Sequence, residues 1–342
     1  MPKRILVIPD VHGESFWKEP VHKYIDQVDK VVFLGDYLDP YRSHLDEYDF
    51  DAVFKNMMEI IDLKQNNNDK VVLLIGNHDF HYCSKRAREL ACASRCDNQN
   101  WGKFNQIFTE YERFFKIAHL EKVKDVTYLF SHAGFTTYWL NMVNAKFWKL
   151  NDRDVSVDSP QMIDMVNELE YDYEGQNLLA VIGKYRTIFG EKTGSVIWAD
   201  AEEHTIPKAP KAYGLNKVFQ VIGHTRLDGN KADRVEFDNL VFIDSQQCFM
   251  IDESIKEKII TTREYELIYE MVLCRGAVPF CLPEKVLDRC LYYRQRHPFI
   301  YHKIRIGCFI VPLLSSKGAS YQRSVLAGSF SLSCFARAIP LR

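Results

Sequence analysis

The sequence lacks the marks of several protein classes. Its nine cysteines form no CxxC pair, and no apolar run approaches the roughly 18 residues that a membrane-spanning helix needs, the longest candidate being Ile306 to Leu314. The N-terminal MPKRILVIPD enters a strand pattern without the apolar core of a signal peptide, and no internal repeat is present. These absences predict a cytoplasmic protein with free thiols, no disulfide framework and no membrane partner.

A strong charge of one sign is also missing. The 342 residues include 44 Lys and Arg and 46 Asp and Glu, a net charge of −2, which argues against a strongly basic nucleic-acid binder and a disordered acidic chain. Only residues 289–342 differ, because they contain basic side chains but no Asp or Glu. We predict a main domain over 1–288 and a basic C-terminal extension over 289–342. A poorly structured extension is favoured there over a tail that binds nucleic acid or anionic lipid.

Short apolar runs recur along the main domain, and each ends in a polar cluster that contains Gly, Asp, Asn or His. Their length and β-branched content favour buried strands. Helices fit between several of them, at Phe50 to Lys64 and at Cys83 to His119, which predicts a layered α/β fold. The predicted strands are Arg4 to Pro9, Lys30 to Leu34, Lys70 to Ile75, Val126 to Phe130, Lys217 to Ile222 and Asn239 to Ile243.

Residues 135–216 do not show one consistent secondary-structure pattern. They include an acidic stretch with helical character, Ser159 to Tyr173, and a loop with Pro and Lys, Ile206 to Lys211. We interpret this region as an accessory insertion that caps a site.

The polar clusters at the strand ends contain metal-binding side chains. Functional groups of layered α/β proteins collect at the carboxyl ends of the strands. The clusters are Asp10-Val11-His12-Gly13, Gly35-Asp36-Tyr37-Leu38-Asp39, Gly76-Asn77-His78-Asp79, Ser131-His132-Ala133-Gly134 and Gly223-His224-Thr225. Oxygen and imidazole ligands of this kind suit Mn²⁺, Fe or Zn²⁺.

These ligand types suit the hydrolysis of a phosphate ester. That reaction needs a strong nucleophile and neutralisation of the phosphoryl charge, and two metals about 3.5 to 4 Å apart supply both. A carboxylate can bridge such a pair because it has two anionic oxygens. Taken singly, Asp10, Asp36 and Asn77 could be turn formers or helix caps, and each histidine could be an ordinary core residue. Together they are costly to bury unless a metal or hydrogen bonds compensate.

The order of the motifs, DxH, GDxxD, GNHD, SHxG and GHT, resembles the calcineurin-like metallophosphoesterase superfamily from about Ile5 to Gln246. The resemblance implies a metallophosphoesterase fold, with mixed β-sheets in a β-sandwich flanked by helices and a helical cap insertion. It also implies a dinuclear metal-dependent phosphoesterase whose nucleophile is a hydroxide bridging the metals. Asp10 and His12 would bind the first metal, Asp36 would bridge, and the second metal would be completed by Asn77, His132 and His224.

The same resemblance implies two catalytic residues. His78 would be the general acid that protonates the leaving oxygen, and Asp39 would hydrogen-bond its imidazole, fixing its orientation and raising its pKa. We interpret four further histidines, His44, His81, His119 and His204, as surface or loop residues.

Several motif details resemble the PPP-type serine/threonine phosphatases and the symmetrical dinucleoside tetraphosphate hydrolases. Gly35 to Asp39 is similar to their GDYVDRG, Ser195 to Asp200 is similar to LLWSDP, and Arg226 stands where many phosphodiesterases have a second His. The chain departs from the PPP pattern in having Pro40-Tyr41-Arg42 in place of Arg-Gly. Arg42 and Arg226 are therefore our candidates for a phosphate clamp, that is, for the arginines that would bind the phosphate of the substrate.

These features favour a phosphomonoesterase of PPP-like type that uses two divalent metals. Mn²⁺ is the favoured metal, and the substrate would be a phosphoprotein or a nucleotide. A hydrolase of nucleotides, dinucleoside polyphosphates or phosphodiesters stays open as the enzymatic alternative, so nucleic acid is not excluded as a partner. A non-catalytic metal-binding scaffold ranks lower, because every expected catalytic position is filled.

Overall fold

Two mixed β-sheets form the centre of the protein. The structure is a computed structural model, and it describes residues 2–41, 48–90, 95–151, 154–205, 213–227 and 234–268. The first sheet has the order β11-β10-β1-β2-β3-β4. Its strands are β1 (Arg4–Ile8), β2 (Lys30–Phe33), β3 (Val71–Leu74), β4 (Phe115–Lys116), β10 (Phe249–Asp252) and β11 (Ile260–Thr261). The strands β1 to β4 are parallel, whereas β10 runs antiparallel to β1 and β11 antiparallel to β10.

The second sheet has three parallel strands between two antiparallel edges. Its order is β5-β6-β7-β9-β8. The strands are β5 (Ala118–Val123), β6 (Val126–Ser131), β7 (Phe219–Ile222), β8 (Val235–Phe237) and β9 (Leu240–Phe242). The strands β6, β7 and β9 run parallel, so their carboxyl ends meet at one edge of the sheet, as those of β1 to β3 do in the first sheet.

The alternation of buried side chains explains why the sheets form layers. In β1, Ile5 and Val7 pack between the two sheets, whereas Leu6 and Ile8 face the helices on the other side of the first sheet. Successive side chains of a strand point to opposite faces, so a continuous apolar run indicates a strand covered on both sides. The inter-sheet core is completed from the second sheet by Phe130, Val221 and Val241.

Helices cover the outer face of the first sheet and form the region between β6 and β7. They are α1 (Lys18–Tyr24), α2 (Phe50–Asn66), α3 (Asn77–Cys83), α4 (Lys85–Leu90), α5 (Trp101–Glu110), α6 (Thr137–Val143), α7 (Pro160–Asn167) and α8 (Tyr173–Leu179). The longest, α2, begins after Asp49, whose carboxylate accepts from the backbone N–H groups of Asp51 and Ala52. Its buried residues recur at helical spacing and pack into the core.

The predicted strands and the helix at Phe50 to Lys64 are confirmed to within about two residues. The helical stretch predicted from Cys83 to His119 is confirmed only in part, by α4 and α5, and is wrong from Phe115 onward. The Asp97 carboxylate accepts from the backbone of Gln99 and Asn100 in a turn that separates α4 from α5, and Phe115 pairs with β3. Pairing with a buried strand outweighs the helical propensity of this segment.

The predicted helical stretch Ser159 to Tyr173 is confirmed by α7 and by the 3-10 helix Glu168–Tyr171. The loop Ile206 to Lys211 and the extension 289–342 lie outside the described residues, so the domain boundaries and the capping role of 135–216 stay predictions. Within the described ranges, none of the helices combines the length and apolarity that a membrane crossing requires.

Candidate metal centre

The predicted ligands lie together at the carboxyl ends of the parallel strands. Asp10 follows β1, Asp36 follows β2, Asn77 opens α3 after β3, and His132 and His224 follow β6 and β7. The two sheets therefore both contribute to one site. Five of the side chains that meet there are buried and His224 is half-buried, the buried ones being Asp10, His12, Asp36, Asn77 and His132.

Asp36 occupies the central position among them. Its Oδ2 atom lies 3.5 Å from His12 Nε2 and 3.5 Å from His132 Nε2. Two sets of ligand atoms, each within 4.8 Å of one another, could hold a metal, and Asp36 belongs to both. The sets are Asp10, His12, Asp36 and Asp36, His132, His224. This is the arrangement that a bridging carboxylate requires.

The hydrogen bonds of His132 direct a lone pair into the site. Its Nδ1 donates to the Leu34 carbonyl at 2.9 Å, so the neutral ring has no proton on Nε2. That nitrogen lies 3.0 Å from Asn77 Oδ1 and 3.1 Å from His224 Nδ1. Facing acceptors at this distance repel one another unless a cation or a proton lies between them. The donor set of the second group therefore fits a metal.

His12 is oriented in the same way. Its Nδ1 donates to the Asp39 carbonyl at 2.6 Å, and its Nε2 faces Asp36 at 3.5 Å and Asp10 at 4.0 Å. A backbone carbonyl that fixes the tautomer of a histidine is a common partner of metal-binding imidazoles. The first group thus offers one imidazole and two carboxylates.

The electrostatics of the pocket favour a cation. Burial raises the pKa of Asp10, and the nearby Asp244 raises it further. Burial and the Asp79 carboxylate raise the pKa of Asp36 in the same way. Burial also lowers the pKa of His132 to about 3, so this imidazole is neutral near pH 7 and supplies no positive charge. Buried carboxylates that repel one another beside neutral imidazoles need a compensating charge, which a divalent metal provides.

Four side chains of the site belong to residues with left-handed backbone angles. The φ values are 47° at His12, 50° at Asp36, 52° at Asp39 and 58° at His224. Positive φ is uncommon outside glycine, and such strain concentrates at functional sites.

Two glycines make room for the carboxylates. A Cβ atom at Gly76 would lie 2.1 Å from Asp36 Oδ1, and one at Gly223 would lie 2.1 Å from Asp10 Oδ1. Any larger residue at either position would displace a carboxylate of the site.

Asp79 connects two of the loops, a role that the sequence prediction missed. Its carboxylate accepts from the backbone N–H groups of Asp36 at 2.6 Å, Tyr37 at 2.9 Å and Gly76 at 2.9 Å. It is fully buried. Asp79 is included in the GNHD motif but is given no role in the sequence analysis, although a carboxylate next to the predicted ligands is a usable signal.

Asp244 and Tyr41 form a second feature that the sequence prediction missed. The Tyr41 hydroxyl donates to Asp244 Oδ1 at 2.7 Å, and the Tyr41 ring lies 4.2 Å from the His12 ring. The Arg226 guanidinium lies over the Tyr41 ring at 4.0 Å from its centroid. Arg226 is thus separated from the predicted ligand His12 by one aromatic ring. Arg42, the other predicted clamp residue, lies outside the described residues.

The structure also brings the two predicted catalytic residues together. His78 Nδ1 lies 3.2 Å from Asp39 Oδ2, and the His78 backbone N–H donates to Asp36 Oδ1 at 2.8 Å. Burial lowers the pKa of His78, and the bond to Asp39 opposes this effect. Burial would raise the pKa of Asp39, but the hydrogen bonds from His78 and His81 hold it below its ordinary value.

A known protein family matches the sequence of this chain. The sequence pattern of the calcineurin-like phosphoesterases matches residues 3–225. The chain belongs to this family. The family holds a dinuclear metal centre, and the calcineurin-like phosphoesterase described here is a hydrolase of phosphate esters whose Asp and His groups could hold the metals.

Solved structures with a similar fold have low sequence identity to this phosphoesterase. They include a protein serine/threonine phosphatase from Saccharomyces cerevisiae, 14% identical over 76% of this chain and 78% of that one, with a TM-score of 0.40. A predicted phosphoesterase from Streptococcus pneumoniae is 12% identical over 74% and 83%, with a TM-score of 0.23. The phosphatase domain of the Legionella effector WipB is 18% identical over 66% and 76%, with a TM-score of 0.31. No curated protein matches the chain. The family assignment rests on the sequence match, since these similarities are weak.

Proposed function

We propose that the protein is a PPP-like phosphomonoesterase that uses two Mn²⁺ ions. The observation that carries this proposal is the position of Asp36 Oδ2, 3.5 Å from an imidazole of each ligand set. Two divalent metals, when bound, lower the pKa of a water so that it attacks phosphorus near neutral pH, and they neutralise charge on the phosphoryl oxygens. Oxygen and imidazole ligands without thiolate suit Mn²⁺.

Side chains of the protein would hold and orient the two metal ions. Asp10, His12 and Asp36 would hold the first ion, and Asp36, Asn77, His132 and His224 would hold the second. The backbone N–H of His224 donates to both Asp10 oxygens at 3.0 Å, which fixes that carboxylate. Ligands fixed in this way need little reorganisation during the reaction.

We assign the general-acid role to His78. Its Nδ1 is engaged by Asp39, so the proton that it gives to the leaving oxygen would come from Nε2 of the imidazolium. Burial alone disfavours the imidazolium. A dianionic phosphate monoester bound beside the ring would favour it, so the substrate itself would help to charge the acid.

Two arginines would contact the phosphate. Arg226 stacks on Tyr41 beside the first ligand set. Arg186, on the segment that follows α8, pairs with Asp200 at 2.9 Å and donates to the Thr225 hydroxyl at 3.4 Å, next to the ligand His224. Burial lowers the pKa of His224, and the nearby Arg186 lowers it further. A pair of cations suits the double charge of a monoester better than the single charge of a diester.

A substrate panel tests this proposal. The purified protein with Mn²⁺ would be assayed on p-nitrophenyl phosphate, bis(p-nitrophenyl) phosphate, a phosphoserine peptide and diadenosine tetraphosphate. We expect turnover of the monoesters to exceed that of the diester. Preference for the diester or for diadenosine tetraphosphate would contradict the monoesterase assignment and favour the nucleotide-directed alternative. A metal-loaded protein without turnover on any ester would favour the scaffold.

A further inference from the structure

The carboxylate of Asp39 receives three hydrogen bonds from one helix. His78 Nδ1 and His81 Nε2 both donate to Oδ2, at 3.2 Å and 2.9 Å, and the Tyr82 hydroxyl donates to Oδ1 at 2.7 Å. All four side chains are buried. The interpretation of His81 as a surface or loop histidine is therefore wrong, because its side chain is only 1% exposed.

Helical spacing explains how three donors reach one carboxylate. His81 and Tyr82 follow His78 by three and four residues on α3, so the side chains share one face of the helix. The imidazoles of His78 and His81 and the hydroxyl of Tyr82 therefore all reach Asp39 in the loop that follows β2. The helix that begins with the motif residues Asn77 and His78 therefore also positions two further donors, His81 and Tyr82.

The two additional donors are themselves held in place. The Tyr82 hydroxyl accepts from the Asp97 backbone N–H at 2.8 Å. The indole of Trp101, at the start of α5, donates to the His81 carbonyl at 2.8 Å. Asn105 on α5 donates to the Tyr82 carbonyl, also at 2.8 Å. The orientation of Asp39 is thus anchored to α5, outside the loops that carry the metal ligands.

We infer that His81 and Tyr82 are positioning residues that orient the general acid His78 through Asp39. The inference rests on the proposed function, in which His78 protonates the leaving group. With three donors on two oxygens, Asp39 has one hydrogen-bonded orientation, and Oδ2 faces His78. Without the two additional donors the carboxylate can rotate, and the imidazole loses the fixed direction that proton transfer needs.

The dependence on the leaving group distinguishes this role from a purely structural one. A basic leaving oxygen, as in phenyl phosphate, needs protonation as its bond to phosphorus breaks, whereas p-nitrophenolate leaves without help. General-acid catalysis contributes about 10² to 10⁴ in rate where it is needed. We expect Tyr82→Phe and His81→Leu each to lower kcat/KM for phenyl phosphate by about tenfold and for p-nitrophenyl phosphate by less than about twofold.

Matched variants sharpen the test. His81→Gln retains an amide N–H near the place of Nε2 and should recover part of the loss seen in His81→Leu. Tyr128→Phe, in β6 of the second sheet, removes a half-buried hydroxyl that donates to the Lys258 carbonyl at 2.9 Å, and it should change kcat/KM for neither substrate. In a His78→Asn background, Tyr82→Phe should have no further effect on phenyl phosphate, because its effect is transmitted through His78.

Three results would overturn the inference: equal losses on both substrates, unchanged kcat/KM in both Tyr82→Phe and His81→Leu, or an undiminished effect of Tyr82→Phe when His78 is absent. Metal content and thermal unfolding of each variant are measured alongside, and Tyr82→Phe, which keeps the ring, serves if His81→Leu does not fold. Failure of the wild-type protein to hydrolyse either ester would refute the proposed function itself, so the two failures are distinguishable.

Discussion

At the scale of single residues, the site gathers groups that are unfavourable to bury on their own. Asp10 and Asp36 are carboxylates whose pKa values are raised by burial, and the histidines beside them are held neutral. Backbone strain at His12 and His224 adds to this cost. Cations in the two ligand sets would offset the carboxylate repulsion and place the lone pairs of the imidazoles on a metal.

The two arginines give a prediction at this scale. Arg226→Ala and Arg186→Ala should each raise KM for p-nitrophenyl phosphate by about tenfold, because each removes a charge-assisted contact to the phosphate. Lysine at either position should restore only part of the effect, since it lacks the planar fork. Arg113→Ala, on an exposed residue of a 3-10 helix, is the control. Steady-state kinetics that show unchanged KM in both variants would refute the clamp, and Arg42→Ala tests the remaining predicted residue.

Gly223 gives a second prediction. The methyl group of Gly223→Ala would lie 2.1 Å from Asp10 Oδ1, so the carboxylate must move. We expect at least a tenfold weaker affinity for Mn²⁺, of the size seen when support for a ligand is lost. Gly102→Ala is the matched control, because its methyl group meets no described atom within 4 Å and lies in α5. Titration calorimetry with Mn²⁺ that gives equal affinities for both variants would contradict this account of Gly223.

At the scale of elements, buried polar groups join loops and helices that are distant in sequence. Asp79 joins the loop after β2 to the start of α3, and Asp39 joins that loop to α5 through the donors of α3. The positions of the ligands are therefore fixed by hydrogen bonds between elements. Rigid support of this kind holds catalytic groups in place.

Glu170 gives a prediction for the contact between residues 135–216 and α3. It lies in the 3-10 helix Glu168–Tyr171, and burial raises its pKa to about 8. The folded state keeps this carboxyl protonated up to that pH, whereas the unfolded chain loses the proton near the ordinary value. The stabilisation is therefore complete in acid and is lost as the pH rises towards 8. Cys83 opposes the shift with a hydrogen bond.

The Glu170→Gln variant isolates this effect because glutamine stays neutral. From about pH 6 to about pH 9, the free energy of unfolding of the wild type should fall relative to that of Glu170→Gln by an amount on the order of a few kcal/mol. Urea unfolding at the two pH values measures the difference. Parallel pH dependences would show that Glu170 titrates near its ordinary pKa.

The sequence predicted the strands and the ligand-bearing loops because a short apolar run that ends in Gly, Asp or His is a local pattern. It did not predict β4 and β5, because their strand character comes from pairing with β3 and β6; β4 and the first two residues of β5 were assigned to a helical stretch. The burial of His81 and the bond from Tyr41 to Asp244 were missed for the same physical reason. Both depend on which distant elements meet, and no local periodicity encodes that.

At the scale of the whole molecule, the candidate metal site lies where the two sheets meet. The first sheet supplies Asp10, His12, Asp36 and Asn77, and the second supplies His132 and His224. Metals bound here would therefore hold the two sheets together. The core between the two sheets is apolar.

Removal of the metals should destabilise the molecule as a whole. A ligand that binds only the folded state stabilises it by about 2.7 kcal/mol at a concentration one hundred times its Kd. We expect EDTA to lower the Tm of the wild type and added Mn²⁺ to restore it. The Asp36→Asn variant should be nearly insensitive to both treatments. A wild-type Tm that does not respond to EDTA or Mn²⁺ would argue against a metal that spans the sheets.

The most direct test of the bridging position of Asp36 is the electron paramagnetic resonance spectrum of the Mn²⁺-loaded protein, recorded with its metal stoichiometry. We expect two Mn²⁺ per chain with the spectrum of a magnetically coupled pair. In Asp36→Asn the coupling and at least one ion should be lost, whereas the exposed control Asp26→Asn should behave as the wild type. Two uncoupled ions in the wild type, or a coupled pair that survives in Asp36→Asn, would contradict the bridging position.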